Sequence, residues 1–144
     1  IDDPPGIVRR DDAHDAHEHA LPTIYHGCGN VKAILEDYIE IGLDAYNPLE
    51  VKAGMDAVEL RRQYGHRIGF CGGIDVQTWE SGDRDAIKRE VLRVLNAAKG
   101  GGFLFQSDHS VTSNVSGKTY DYIIQLVREY GRYPLQLGEF DESV

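Results

Sequence analysis

A chain of 144 residues is long enough for one domain with its own hydrophobic core. Its 24 acidic against 15 basic side chains leave a formal net charge of -9, which removes any electrostatic drive toward nucleic acid or an anionic membrane surface. No apolar run has the length of a transmembrane helix, no signal-peptide pattern opens the chain, and the 2 cysteines, Cys28 and Cys71, form no disulfide-scaffold spacing, so a cytoplasmic protein is expected.

The first residue is Ile1 and the single methionine is Met55. A processed chain or a fragment is therefore expected. Residues 1–20 read as a preceding loop and a short helix. Pro4, Pro5 and Gly6 exclude a regular helix at the start. Residues 10–20 form a polar helix closed by Leu21-Pro22.

A repeating rhythm follows. Thr23-Ile24-Tyr25 is a short strand ending at His26-Gly27-Cys28-Gly29-Asn30. Residues 31–41 place Val31, Ile34, Leu35, Tyr38 and Ile39 at helical spacing, and Gly42 stops that helix. Leu43–Tyr46 is a second strand, ending at Asn47-Pro48. Residues 56–64 form a helix with Asp56 as N-cap and Glu59 three residues on. Arg67–Cys71 is a third strand, ending at Gly72-Gly73-Ile74-Asp75. Residues 83–98 form the longest helix, with Ile87, Val91, Val94 and Leu95 apolar on one side. Phe103–Gln106 is a fourth strand, ending at Ser107-Asp108-His109. Residues 117–130 form a last helix with Tyr120, Ile123, Ile124 and Val127 facing inward, and residues 136–144 form an acidic tail.

Four strands, each followed by a helix, predict an α/β fold with a parallel sheet. The strands are apolar at most positions, as expected where both faces are covered. No G-x-G-x-x-G or P-loop follows any strand, so a (β/α) barrel is favoured over a nucleotide-binding sheet. Four units make half of one, and the other half is expected to precede Ile1.

Parallel α/β folds carry their chemistry at the carboxyl ends of the strands. Those ends read HGCGN, YNP, CGGID and SDH, rich in residues that bind or react. His26 and Cys28, two apart on an extended segment, point to one side and suit zinc, with His109 or Cys71 as a third ligand. From the pair alone, a buried Cys28 and a hydrogen-bonded core His26 form the better reading. His109 suits a general acid, an anion-binding donor or a metal ligand, and equally a plain loop histidine. Asp75 beside Gly73 can act on a ligand that the glycine lets approach, or can cap the next turn. Asn47 orients substrate or starts a turn. His14, His17 and His19 have metal-binding spacing, but a solvated helix surface is the better reading. Lys52, Arg61, Arg62, Lys88, Arg89 and Arg93 read as solvated helix charges.

The strings IYHGCGN, GLDAYNPLEVKAGMDAVELRRQYGHRIGFCGGID and GGGFLFQSDHS resemble the uroporphyrinogen decarboxylase family over roughly residues 20–134. That family includes haem-pathway decarboxylases and zinc-dependent methyltransferases that use methylcobalamin. The resemblance implies a (β/α)8 TIM barrel, with residues 21–135 as its carboxyl-terminal half. In the methyltransferase branch a His-x-Cys pair and a cysteine after the last strand bind zinc. His26 and Cys28 match the pair, and the third position falls at His109. The decarboxylases instead use a histidine after the last strand on tetrapyrrole carboxylates, lack the His-x-Cys pair, and carry an arginine-rich substrate loop in the amino-terminal half. Cys71 matches neither branch.

The strand-end residues and the resemblance together predict catalytic His109 and Asp75, substrate-binding Asn47, Gly73 and Ser107, and zinc on His26, Cys28 and His109. The implied cofactor besides zinc is methylcobalamin on a partner corrinoid protein. The implied substrate is a small molecule, and the half-barrel is expected to self-associate or to pair with an amino-terminal half.

Overall fold

Parallel pairing organises four strands in chain order in the computed structural model, which describes residues 10–137. The strands are β1 (Ile24–His26), β2 (Ala45–Asn47), β3 (Gly69–Cys71) and β4 (Phe103–Leu104). Around them run α1 (Arg10–Glu18), α2 (Leu35–Glu40), α3 (Ala57–Tyr64), α4 (Val76–Glu80), α5 (Arg84–Ala97) and α6 (Gly117–Tyr130). Each parallel pair is joined through helix, so the expected α/β fold is present. The reading of residues 1–9 lies outside the described residues, as does that of 138–144. Among the described residues, no helix is long and apolar enough to cross a membrane.

Register separates the two faces of the sheet. Tyr25 pairs with Tyr46, Tyr46 with Phe70, and Phe70 with Phe103. This aromatic row belongs to the core, with Tyr46 and Phe70 fully buried. α5 supplies Ile87, Val91, Leu92, Val94 and Leu95 to that core, and α6 supplies Ile123 and Leu126. Burying each such aliphatic side chain contributes roughly 1.5–3 kcal/mol. Successive strand residues alternate faces, so Ile24, His26, Asn47, Cys71 and Leu104 lie on the other side. There the edge strands leave Ile24 54% and Leu104 56% exposed.

Side-chain caps set the helix starts. Asp56 accepts the backbone N–H of Glu59 at 2.9 Å, Asp83 those of Asp85 and Ala86, and Ser116 that of Thr119. α6 spans the residues expected of it. β1 is shifted by one residue from the expected Thr23–Tyr25, and β2, β3 and β4 are shorter than the runs expected of them, because only residues that complete ladder hydrogen bonds belong to the strands.

Several expectations are corrected. Residues 31–41 split into a 3₁₀ turn at Lys32–Ile34 followed by α2. The change of period rotates Ile34 out of the apolar face, leaving it exposed. α4 was not expected. It is a five-residue helix that buries Val76 and Trp79. Tyr120 is exposed and meets Trp79 edge-on at 6.4 Å, while Leu126 takes the inward position. Ile124 and Val127 are half-buried. Leu137 is buried in the core, so the core extends past the start assigned to the acidic tail.

Some charges expected to be solvated are tied down, while Lys52, Arg62 and Arg89 are exposed as expected. Arg61 donates to the carbonyls of Ala97, Gly65, Gly102 and Gly101, stapling two helix C-terminal turns together. Arg93 pairs with Asp56 and Glu90, Lys52 with Glu50, and Lys88 lies over the ring of Tyr130. His17 bonds Asp44 at 2.8 Å.

Candidate functional site

The carboxyl ends of β1, β2 and β4 converge on one cavity of about 210 Å³. Its lining is His26, Cys28, Pro48, Gln106, Ser107, His109 and Ser110. Three residues singled out from two strand ends, His26 and Cys28 at the end of β1 and His109 after β4, thus line one cavity. All three are exposed, so the reading of His26 and Cys28 as core residues does not hold.

His26 ends β1 and Cys28 follows on an extended turn. The Cys28 Sγ lies 3.9 Å from His26 Nε2. Typical zinc bonds, about 2.3 Å to sulfur and about 2.0 Å to nitrogen, set tetrahedral ligand atoms roughly 3.5 Å apart. A small side-chain adjustment brings the pair to that spacing, so two ligands fit. His109 shares the cavity but does not close the set. Among the described residues, the one group of three His, Cys, Asp or Glu donors within 4.8 Å of one another is the exposed His14, Asp15 and Glu18.

The main chain beneath the pair is well anchored. The Gly27 N–H donates to the Asn47 carbonyl at 2.8 Å, and the Tyr46 hydroxyl donates to the Gly27 carbonyl. The Gly29 N–H donates to the Glu50 carboxylate at 2.7 Å. That bond and the neighbouring Lys52 ammonium hold the Glu50 carboxyl below its usual range.

Of the remaining expected residues, Ser107 lines the cavity, and its hydroxyl donates to the His109 carbonyl at 2.6 Å. Asn47 does not line it. Its amide donates to Gln106 at 3.1 Å, tying the ends of β2 and β4. Gly73 lies outside the lining, packed where a Cβ would meet Ala57 at 2.8 Å. Asp75 is also absent from it. Its carboxylate caps α4, accepting from the Gln77 N–H and the Thr78 hydroxyl, each at 2.9 Å. The turn-capping reading of Asp75 is the one its contacts match. Cys71 is buried on β3, and burial pushes its thiol pKa up.

Asp108 was overlooked. It is 1% exposed, and its two oxygens accept the N–H groups of Val51 and Val76. Burial pushes its pKa up, against the pull of those two hydrogen bonds. It joins the loops after β2, β3 and β4, one residue before His109. Its place beside His109 in a strand-end loop was the one available signal. Gln106 and Ser110 were missed for the same reason, although they flank residues already singled out.

A model of the uroporphyrinogen decarboxylase (URO-D) family matches residues 9–130. This chain belongs to the uroporphyrinogen decarboxylase family. No curated protein matches it. The match spans all four strands and the whole cavity lining, so this uroporphyrinogen decarboxylase-family site lies at strand ends where parallel α/β enzymes carry chemistry. The family's enzymes are decarboxylases or methyltransferases.

Proposed function

We propose that this chain carries the metal-holding part of a family methyltransferase that moves a methyl group between a corrinoid on a partner protein and a small thiol substrate. The supporting observation is the His26–Cys28 donor pair, 3.9 Å apart on the wall of the cavity shared with His109. His26 and Cys28 would hold zinc, and His109, on the same cavity but outside ligand spacing, would have to move toward them to serve as the third protein ligand. Bound zinc would make a substrate thiol acidic enough to be a nucleophile at neutral pH. Cys28 would contribute a thiolate and His26 a neutral imidazole. Gln106, Ser107 and Ser110 would orient the polar part of the substrate. Metal analysis of the purified chain tests this. The expected result is bound zinc that is lost in Cys28→Ala. Absence of zinc, or unchanged zinc in that variant, would overturn the reading.

A second reading is decarboxylation of an acidic pyrrole, favoured by the hydroxyls of Ser107 and Ser110 beside exposed His109. His109 would then place a carboxylate or supply a proton, without a metal. Uroporphyrinogen turnover that survives Cys28→Ala would select this reading.

Both readings take the described sheet as the carboxyl-terminal half of a (β/α)8 barrel. Sequential parallel order and the exposed apolar Ile24 and Leu104 on the edge strands support this. Such a half would pair with an amino-terminal half or with itself. Light scattering that finds a stable 144-residue monomer would count against pairing.

A further inference from the structure

The segment carrying His26 and Cys28 takes its main-chain anchors from residues 46–50, not from its own strand. Two anchors are of common kinds: the Gly27 N–H on the Asn47 carbonyl, and the Gly29 N–H on a carboxylate. The third is not. Tyr46 is fully buried, with its ring 5.8 Å from Tyr38 in a stacked arrangement and 6.2 Å from Tyr25. A phenylalanine would fill that core place equally well. The hydroxyl therefore needs a reason of its own. It leaves the core to bond the carbonyl of Gly27, the one residue between the two donors. Burial pushes the phenol pKa further up, so the group remains an O–H donor at neutral pH. Gly27 completes the fit, since a Cβ there would stand 3.1 Å from the Tyr25 ring and 3.4 Å from the Tyr46 hydroxyl.

We propose that Tyr46 is a positioning residue that holds the Gly27 carbonyl and so sets the spacing and aim of His26 and Cys28. It does not line the cavity. Only the cobalt readout below rests on the metal-holding reading given above.

The test uses the full 144-residue chain and Tyr46→Phe, which removes one O–H and keeps the ring. Tyr133→Phe is the comparison. It removes an O–H bonded at 2.6 Å to the Ala98 carbonyl, away from the cavity. Alkylation of Cys28 by iodoacetamide is followed by mass spectrometry in metal-free protein, with buried Cys71 as internal reference. Cobalt(II) affinity is read from the thiolate-to-cobalt charge-transfer absorption. Tyr46→Phe is expected to shift the Cys28 rate away from the value shared by wild type and Tyr133→Phe. It should also weaken cobalt binding about tenfold, the usual effect of removing a group that orients a ligand. Gly27→Ala, which presses on the same contact, is expected to move both readouts in a chain that stays folded. A Cys28 rate unchanged in both Tyr46→Phe and Gly27→Ala would overturn the proposal. Absence of cobalt binding by wild type would overturn the zinc reading instead, with the alkylation rates still deciding the role of Tyr46.

Discussion

The Asp108 carboxylate accepts the backbone N–H of Val76 at 2.9 Å, across 32 positions of sequence. Its other oxygen accepts from Val51 at 3.1 Å. One buried side chain thus fixes three strand-end loops, including the one that carries His109. Asp108→Asn offers a single acceptor oxygen to two inward-pointing donors, so one buried N–H meets an amide N–H₂. The expected cost is about 1–3 kcal/mol. Urea unfolding should show a lower midpoint with an unchanged slope. A midpoint equal to wild type would refute this account of Asp108.

Gly73 was expected to bind substrate, but its surroundings are those of a packing residue. Its φ is +86°, and a Cβ would meet Ala57 at 2.8 Å and Leu49 at 3.2 Å. Gly73→Ala is expected to destabilise by about 1–3 kcal/mol through left-handed strain and this clash. Because Gly73 does not line the cavity, the Cys28 alkylation rate in the folded variant should match wild type. Thermal melts and the alkylation assay together check both halves.

Asp56 links acid to stability. It caps α3 through the Glu59 N–H and pairs with Arg93 at 2.9 Å. Burial works to raise its pKa, but the Glu59 N–H and the Arg93 guanidinium outweigh burial and leave it below the ordinary value. A carboxylate with a depressed folded-state pKa stabilises above its unfolded value of about 3.9, and that contribution is lost as pH falls through the folded value. Asp56→Ala should therefore cost about 1 kcal/mol at pH 7, the usual worth of an N-cap. The gap to wild type should close toward pH 2. Denaturant midpoints at both pH values measure it, and a pH-independent gap would contradict the assignment.

How far the chain reveals its own architecture differs between helices and loops. Asp56 with Glu59, and the helical spacing of Tyr120, Ile123, Ile124 and Val127, mark helices because caps and apolar periods act within one or two turns. α4 escaped because five residues carry too little periodicity to stand out, and the burial of Trp79 that supports it comes from the rest of the core. Arg61 reads as a surface charge until the glycine turn at residues 100–102 folds back over it and offers its carbonyls.

The same division runs through His26, Cys28 and His109. Sequence by itself placed them at strand ends, since short apolar runs followed by Gly, Asn, Asp and His are local signals. It also carried the pattern by which the chain belongs to its family. Tertiary structure alone decided that these residues share a cavity, that Asp75 caps a helix while Asp108 joins three loops, and that Tyr46 reaches Gly27. The physical reason is that a carboxylate or hydroxyl takes its role from the donors and acceptors facing it. The partners of Asp75 are 2 and 3 positions on, but those of Asp108 and Tyr46 lie 19 to 57 positions away and are brought near only by parallel pairing of the strands.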